Sequence, residues 1–111
     1  MEYRQVTDDF AVTGQITAED IPAIKAAGFK SVICNRPDEE QPGQPPHDGI
    51  QAAAEAAGLA FAYIPVVSGA ITPDNVSDMA DALDELDGPI FAYCRSGTRS
   101  ANLYAMATQP R

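Results

Sequence analysis

The stretch PIFAYCRSGTRSAN, residues 89–102, decides the fold because it joins an apolar run directly to a basic turn that contains a glycine. Its first five residues are continuously apolar, which is typical of a central strand in a parallel sheet that helices cover on both faces. Tyr93 ends this strand, and Cys94 follows at its carboxyl end, where open α/β sheets bind their ligands. We therefore expect chemistry at this end of the sheet.

The segments before this strand alternate between helix and strand patterns. TAEDIPAIKAAG (17–28) and GIQAAAEAAG (49–58) each end in a glycine and are predicted to be helices. FKSVICN (29–35) and LAFAYIP (59–65) have the β-branched and aromatic composition of strands. TPDNVSDMADALDELDG (72–88) is predicted to be a third helix, since a capping threonine and a proline precede apolar residues at helical spacing.

This alternation predicts an α/β fold with one domain over residues 1–111. We expect a mostly parallel central sheet of about four to five strands with helices on both faces. Residues 36–48 contain four prolines and several acids, which predicts a surface loop rather than a packed element. At most about two helical turns are expected after the basic turn.

The overall charge excludes several classes of partner. Seven basic residues against sixteen acidic ones give a formal charge of −9, which disfavours nucleic acid and anionic membrane surfaces. The amino terminus lacks the pattern of a secretory signal, and no apolar run approaches the roughly 18 residues of a membrane span. A cytoplasmic location with two reduced cysteines is therefore expected. A single histidine and scattered carboxylates predict no zinc site, and no cofactor is expected.

The turn after Cys94 has the composition of an anion-binding loop. Gly97 permits a tight or left-handed turn, so that backbone N–H groups point inward at the start of a helix predicted near Arg99 or Ser100. The same donors stabilise a thiolate, which lowers the pKa of Cys94 and makes it a nucleophile. An inert buried thiol, the alternative, has no need of a basic turn in so acidic a chain.

Three of the seven basic residues are expected at this pocket, two on the loop and one at the end of another strand. The hydroxyl of Ser100 is expected either to bond the thiolate or to cap the last helix. The predicted catalytic residues are Cys94 and Arg99, and the predicted anion-binding residues are Arg95, Ser96, Gly97, Thr98, Ser100 and Arg36.

The motif YCRSGTRSA resembles two active-site loops, that of rhodanese-type sulfurtransferases and that of cysteine-dependent phosphatases. The wider chain, from GQITAEDIPAIKAAGFKSVICNRPDEE through AYIPVVSGAIT to CRSGTRS, is similar to the phosphatase-like domain of bacterial beta-lactamase-hydrolase-like proteins. The resemblance implies a dual-specificity-phosphatase-like fold, and some members of the family are labelled sulfur transferases. It also implies that related domains continue further or join a persulfide dioxygenase of the metallo-hydrolase type, so such a partner domain is an expectation.

Three departures from the phosphatase pattern favour sulfur transfer. Four residues separate Cys94 from Arg99 where phosphatases have five, which narrows the cradle for a phosphate group. VSG (67–69) stands where dual-specificity phosphatases place an Asp, and without a proton donor alkoxide expulsion loses roughly 10²–10⁴-fold in rate. Tyr93 stands where phosphatases have His. Sulfur transfer requires only an activated thiolate and anion-stabilising donors.

The sequence therefore favours a cysteine-dependent sulfurtransferase that carries sulfane sulfur as a Cys94 persulfide. Its substrate is expected to be a small anion or thiol, such as a persulfide or thiosulfate. Two alternatives stay open. One is a phosphatase of the dual-specificity type that forms a phosphocysteine from a phosphate ester, and the other is a non-catalytic anion-binding or interaction module.

Other candidate residues lie outside the loop. Asp38 and Glu39 are possible replacements for the missing acid, although solvated loop charges are the simpler interpretation. Asp74 is expected to stabilise the dipole of the third helix. Cys34 is interpreted as a core thiol, with a resolving cysteine as the alternative, and His47 as a surface loop residue.

Overall fold

Five short strands form one sheet in the computed structural model, which describes residues 2–109. In chain order they are β1 (Arg4–Thr7), β2 (Phe10–Thr13), β3 (Ser31–Cys34), β4 (Ala60–Tyr63) and β5 (Ile90–Tyr93). The order across the sheet is β1-β2-β5-β3-β4. Strand β1 is antiparallel to β2, and all the other pairs are parallel. The expected single α/β domain with a mostly parallel sheet is confirmed.

Strand β5 lies at the centre of the sheet, as its apolar sequence predicts. It pairs with β2 on one side and β3 on the other, and all four of its residues are buried. Because the neighbouring strands run parallel to it, their carboxyl ends lie together: Thr13 and Cys34 are both register partners of Tyr93. The residues that follow these three strands therefore share one edge of the sheet.

In the described part of the chain, residues 2–109, four helices cover the two faces of the sheet. They are α1 (Ile21–Ala26), preceded by a 3-10 turn at Ala18–Asp20, α2 (His47–Ala56), α3 (Pro73–Glu85) and α4 (Thr98–Ala107). Helices α1 and α2 contribute Ile21, Ile24 and Ile50 to the core on one face. Helices α3 and α4 contribute Met79 and Leu103 to the core on the other. No helix within residues 2–109 has the length and apolar composition needed to cross a membrane.

Three local predictions require correction. Strand β1 was not predicted, because its side chains are exposed and carry no alternating pattern. Helix α2 begins at His47 rather than in the segment from Gly49, because the Asp38 side chain accepts a hydrogen bond of 2.9 Å from the His47 backbone amide. Such a cap, nine residues away along the chain, has no local signature. Helix α4 spans ten residues, which exceeds the two turns that were expected.

Cys34 lies in the core, as the simpler interpretation predicts. Its residue is 2 % exposed and packs in the same cluster as Val32 and Tyr93. The thiol donates to the carbonyl oxygen of Arg36 at 3.3 Å. Burial raises the pKa of Cys34 to about 11, so the thiol is protonated at neutral pH.

Replacement of Cys34 by alanine is expected to lower the free energy of unfolding by about 1 kcal/mol, since a small buried group is removed from a packed site. Urea unfolding of the wild type and of Cys34→Ala measures this difference. The reactivity of Cys94 is expected to be unchanged. If Cys34→Ala instead removed the activity that depends on Cys94 and left the stability unchanged, Cys34 would have the role of a resolving cysteine.

Candidate active site

Cys94 lies at the floor of a cleft of about 830 Å³ at the carboxyl edge of the sheet. It follows β5 directly, and its backbone amide donates to the carbonyl oxygen of Thr13 at 3.3 Å, which ties it to the end of β2. The loop of Cys94 to Arg99, the segment between β3 and α2, and the segment between β4 and α3 together form the walls. The lining residues are Arg36, Glu40, Gln41, Ser68, Gly69, Ile71, Cys94, Arg95, Ser96, Thr98, Arg99 and Asn102.

The loop after Cys94 turns sharply at Gly97, which has the left-handed φ of 91° predicted for this position. A side chain at Gly97 would also come within 3.3 Å of the Thr13 backbone. On the other side, a Cβ at Gly14 would lie 2.9 Å from the carbonyl oxygen of Arg95. The two glycines therefore allow the loop to pack directly against the end of β2.

The Gly97 amide donates to Cys94 Sγ at 3.0 Å, so the loop curls around the sulfur atom. Burial of the thiol acts to raise its pKa, but the donors around it have the larger effect. The backbone amides of Ser100, Ser96 and Gly97 and the Ser100 hydroxyl hold the pKa of Cys94 below its usual value. The arrangement therefore favours the nucleophilic thiolate form.

Amides remain for an anion at the mouth of this loop. Within residues 2–109 no carbonyl oxygen accepts a hydrogen bond from the amide of Arg95, and the amide of Ser96 has no acceptor other than the Cys94 sulfur. The buried Nε of Arg99 likewise has no partner among the described residues. Polar donors without protein acceptors, close to a thiolate, are suited to the oxygens of a bound oxyanion.

Arg99 is held across the cleft from two directions. Its Nη1 donates to the carbonyl oxygen of Val66 at 2.9 Å and to Glu40 Oε2 at 2.9 Å, and its Nη2 donates to Glu40 Oε1 at 3.3 Å. Buried Asn35 orients this wall, because its side chain donates to the Ile64 carbonyl and its carbonyl accepts from the Val66 amide. The guanidinium is thus positioned within the cleft and is only 10 % exposed.

Arg36 lines the same cleft but is bonded by neighbouring side chains. Its Nε donates to Glu40 Oε1 at 2.8 Å, and its Nη1 and Nη2 donate to Gln15 and Gln41 at 3.1 Å each. Glu40 therefore bridges Arg36 and Arg99. Burial acts to raise the pKa of Glu40, but hydrogen bonds and charges from both arginines lower it below its usual value, so Glu40 is ionised at neutral pH.

Comparison with known proteins identifies the family. The family model for the phosphatase-like domain of beta-lactamase hydrolase-like proteins matches residues 2–110. The chain belongs to this family. It is 38 % identical over 106 residues to a beta-lactamase hydrolase-like protein of Agrobacterium fabrum, and 35 % identical over 107 residues to one of Xylella fastidiosa. Each alignment covers 96 % of this chain but 25 % of the relative, so the chain spans about a quarter of the length of these proteins.

Solved structures agree with this assignment. A candidate phosphatase from Neisseria meningitidis is 32 % identical, with a TM-score of 0.83 over 91 % of this chain and 72 % of the other. The catalytic core of a PP-IP phosphatase from S. cerevisiae is 14 % identical, with a TM-score of 0.69 over 91 % of this chain and 60 % of the other. At that identity the second likeness shows the fold alone. The phosphatase-like domain thus has a cysteine-phosphatase fold, and these findings fit the phosphatase alternative better than the sulfurtransferase that the sequence favoured.

The predicted site residues come together at one end of the sheet in this phosphatase-like domain. Ser96, Thr98 and the exposed Arg95 form part of the cleft lining, and Gly97 supplies the turn and a thiol donor. Ser100 is buried inside the first turn of α4, where it faces Cys94. The alternative of Ser100 as helix cap is wrong, because the cap position belongs to Gly97.

The candidate acids from the loop between β3 and α2 do not reach the cleft. Both Asp38 oxygens bind His47, one through the backbone amide and one through Nδ1 at 2.7 Å. Glu39 is exposed and also lies outside the lining. His47 is the first residue of α2 rather than a loop residue, and its ring stacks on Tyr63 at 3.6 Å between centroids.

Glu40, Gln15 and Gln41 are the site residues that sequence reasoning missed. The acidic loop offered Asp38, Glu39 and Glu40 in succession, and nothing in the composition distinguished the third. Only in the folded chain does the loop between β3 and α2 place the Glu40 carboxylate against Arg36 and Arg99. The one available signal was the position of Glu40, four residues after an arginine that was itself expected at the pocket.

Cys94 is expected to react with iodoacetamide at pH 6.5, whereas Cys34 is not. A lowered pKa means that the alkylation rate, which follows the thiolate fraction, reaches half of its maximum at a pH below 9.0, the ordinary value. Mass spectrometry of the alkylated peptides over pH 5–10 measures both cysteines in one sample, and Cys94→Ser gives the background. A half-maximal rate at or above pH 9.0 would contradict the thiolate assignment.

Arg99→Lys is expected to weaken the binding of an oxyanion such as sulfate or inorganic phosphate by on the order of tenfold, because lysine keeps the charge but loses the planar fork. Titration calorimetry measures the dissociation constant. Arg95→Lys is the matched control and is expected to have a smaller effect, since Arg95 is exposed at the rim. Equal effects of the two variants would mean that Arg99 does not hold the anion.

Proposed function

We propose that this phosphatase-like domain hydrolyses phosphate monoesters through a covalent intermediate on Cys94. The observation that carries the proposal is the Gly97 amide directed at Cys94 Sγ at 3.0 Å, on the floor of a cleft that also presents Arg99. A thiolate that hydrogen bonds keep deprotonated is the nucleophile that this reaction needs. The family and the fold of its solved relatives support the same reaction class.

The proposed first step joins Cys94 to the phosphoryl group. The thiolate attacks phosphorus, the S–P bond forms, and the bond from phosphorus to the ester oxygen breaks, so that this oxygen takes up a proton and leaves as the alcohol. Free loop amides and Arg99 stabilise the charge on the phosphoryl oxygens during the transfer. Water then attacks the phosphocysteine and releases inorganic phosphate and the free thiolate.

The cleft indicates a substrate larger than a phosphate group alone. Its volume of about 830 Å³ falls within the roughly 300–1,000 Å³ of small-molecule sites. Ser68, Gly69 and Ile71 on one wall and Asn102 on the opposite wall surround the entrance. These residues are suited to contact the organic part of the ester.

Sulfur transfer is the second candidate, favoured by two observations. Four residues separate Cys94 from Arg99, and the wall after β4 offers Ser68 and Gly69 but no carboxylate. In this reaction the Cys94 thiolate attacks the outer sulfur of a persulfide or thiosulfate, and a thiolate or sulfite leaves. An acceptor thiolate later attacks the same sulfur and restores the Cys94 thiolate. A non-catalytic anion-binding module is the remaining alternative.

Mass spectrometry after incubation with each class of donor distinguishes these functions. An aryl phosphate is expected to add about 80 Da to Cys94 after acid quenching, which marks a phosphocysteine. Thiosulfate or a persulfide would add about 32 Da if the domain transfers sulfur. Cys94→Ser is the control and is expected to carry neither persulfide nor phosphocysteine. The second adduct without the first would replace the proposed function by sulfur transfer, and neither adduct on folded protein would favour the binding module.

A further inference from the structure

Glu40 is the one carboxylate among the residues that line the cleft. Its two oxygens face Arg99 and Arg36 at 2.8–3.3 Å, and its side chain is 23 % exposed. Its backbone amide donates to Gln44 Oε1 at 3.2 Å, which anchors this part of the loop. The carboxylate is therefore held at the site by named contacts on both its side chain and its backbone.

The other acids near the site either bind other groups or are exposed to solvent. Asp38 binds the start of α2 and the His47 ring with both oxygens. Asp74 lies in the first turn of α3 and is exposed. The segment after β4, Val66 to Ala70, contains no carboxylate. A proton donor for a leaving group in this cleft therefore has to come from Glu40 or from water.

Arg99 has N–H groups left for a bound phosphate dianion in addition to those that contact Glu40. The Arg99 Nε is unpartnered, and the adjacent Nη2 holds Glu40 through the longest of the contacts between the two side chains, 3.3 Å. Two parallel N–H groups of a guanidinium form the usual bidentate contact with a phosphate. A phosphate bound along this edge therefore lies beside Glu40, which stays paired with Arg99 and Arg36.

Binding of the substrate dianion also changes the charge around Glu40. In the free protein Arg36 from the end of β3 and Arg99 from α4 face the carboxylate, while Cys94 and Arg95 are the other titratable or charged groups of the lining. A dianion that neutralises Arg99 also places negative charge beside Glu40. Like charge at short range disfavours the ionised carboxylate, so substrate binding promotes protonation of Glu40 from solvent.

We propose that Glu40 is the catalytic proton donor of this domain, and that the negative charge of the bound substrate dianion favours its protonated form. As the bond from phosphorus to the ester oxygen breaks, the Glu40 carboxyl transfers its proton to that oxygen and the alcohol leaves. Glu40, now a carboxylate, accepts a proton from the water that attacks the phosphocysteine. The sum of the two steps is one ester and one water converted to one alcohol and one phosphate.

This inference rests on the proposed phosphatase function. It assigns the role of proton donor to an acid in the loop between β3 and α2, because the segment after β4 has none. A carboxylate that merely positioned Arg36 and Arg99 would affect all substrates equally. A proton donor matters most when the leaving group is a poor one, such as the phenolate of phenyl phosphate. The more stable 4-nitrophenolate leaves without a proton. The dependence on leaving group therefore separates the two roles.

The test compares kcat/KM for phenyl phosphate and 4-nitrophenyl phosphate in the wild type, Glu40→Gln and Cys94→Ser. Glu40→Gln keeps the shape and one acceptor oxygen but cannot donate a carboxyl proton. We expect it to lose about 10²-fold on phenyl phosphate and less than about tenfold on 4-nitrophenyl phosphate. Glu39→Gln is the matched control from the neighbouring exposed position and is expected to retain wild-type rates on both esters.

A second readout uses inorganic phosphate alone. Because the negative charge of Glu40 opposes that of the anion, Glu40→Gln is expected to bind phosphate severalfold more tightly than the wild type in titration calorimetry. If Glu40→Gln does not fold, Glu40→Asp takes its place. It keeps a proton donor on a shorter side chain and is expected to preserve the wild-type ratio between the two esters.

The outcomes distinguish failure of this inference from failure of the proposed function. Wild-type hydrolysis no faster than that of Cys94→Ser overturns both. An active wild type with equal losses on the two esters in Glu40→Gln, or with no loss on either, overturns the role of Glu40 alone. In Glu40→Asp, a loss confined to 4-nitrophenyl phosphate would likewise overturn it.

Discussion

The hydrogen bond from the Gly97 amide to Cys94 Sγ is the interaction on which the rest of the site depends. Cys94 is 1 % exposed, and a thiolate at that depth is stable only where donors replace the water that it has lost. Those donors face the sulfur because Gly97 adopts a left-handed φ and α4 begins directly after it. Gly14 gives the loop room against β2. Because β5 is the central strand, the thiol that follows it lies at the edge of the sheet where the walls of the cleft meet.

A second constraint is the charge of the buried Arg36. This residue is 3 % exposed, and a guanidinium at that depth needs a counter-ion and acceptors for its N–H groups. Glu40, Gln15 and Gln41 meet that need, and Glu40 extends the pairing to Arg99. Glu40 therefore offsets part of the positive charge that draws an oxyanion into a chain of net charge −9.

Fold and reaction are separate questions for this domain. The cysteine-phosphatase fold supplies a thiolate, a cradle of amides and an arginine, and both phosphoryl and sulfur transfer use these parts. The two reactions differ in their need for a proton donor, because an alkoxide is a poor leaving group whereas a thiolate or sulfite is not. The position of Glu40 in the cleft therefore bears directly on the choice between them, and the length of the loop alone does not.

The sequence by itself determined the central strand, the nucleophile and the anion loop. These depend on neighbouring residues: the apolar run that ends at Tyr93, the glycine that permits the turn and the arginine that follows it are contiguous in the chain. Only the tertiary structure decided which of three successive acids, Asp38, Glu39 or Glu40, enters the cleft, and that Asp38 caps α2 instead. The reason is that Arg99 and Glu40 are 59 residues apart in the chain, so their pairing depends on how β3 and β5 lie side by side and carries no local pattern.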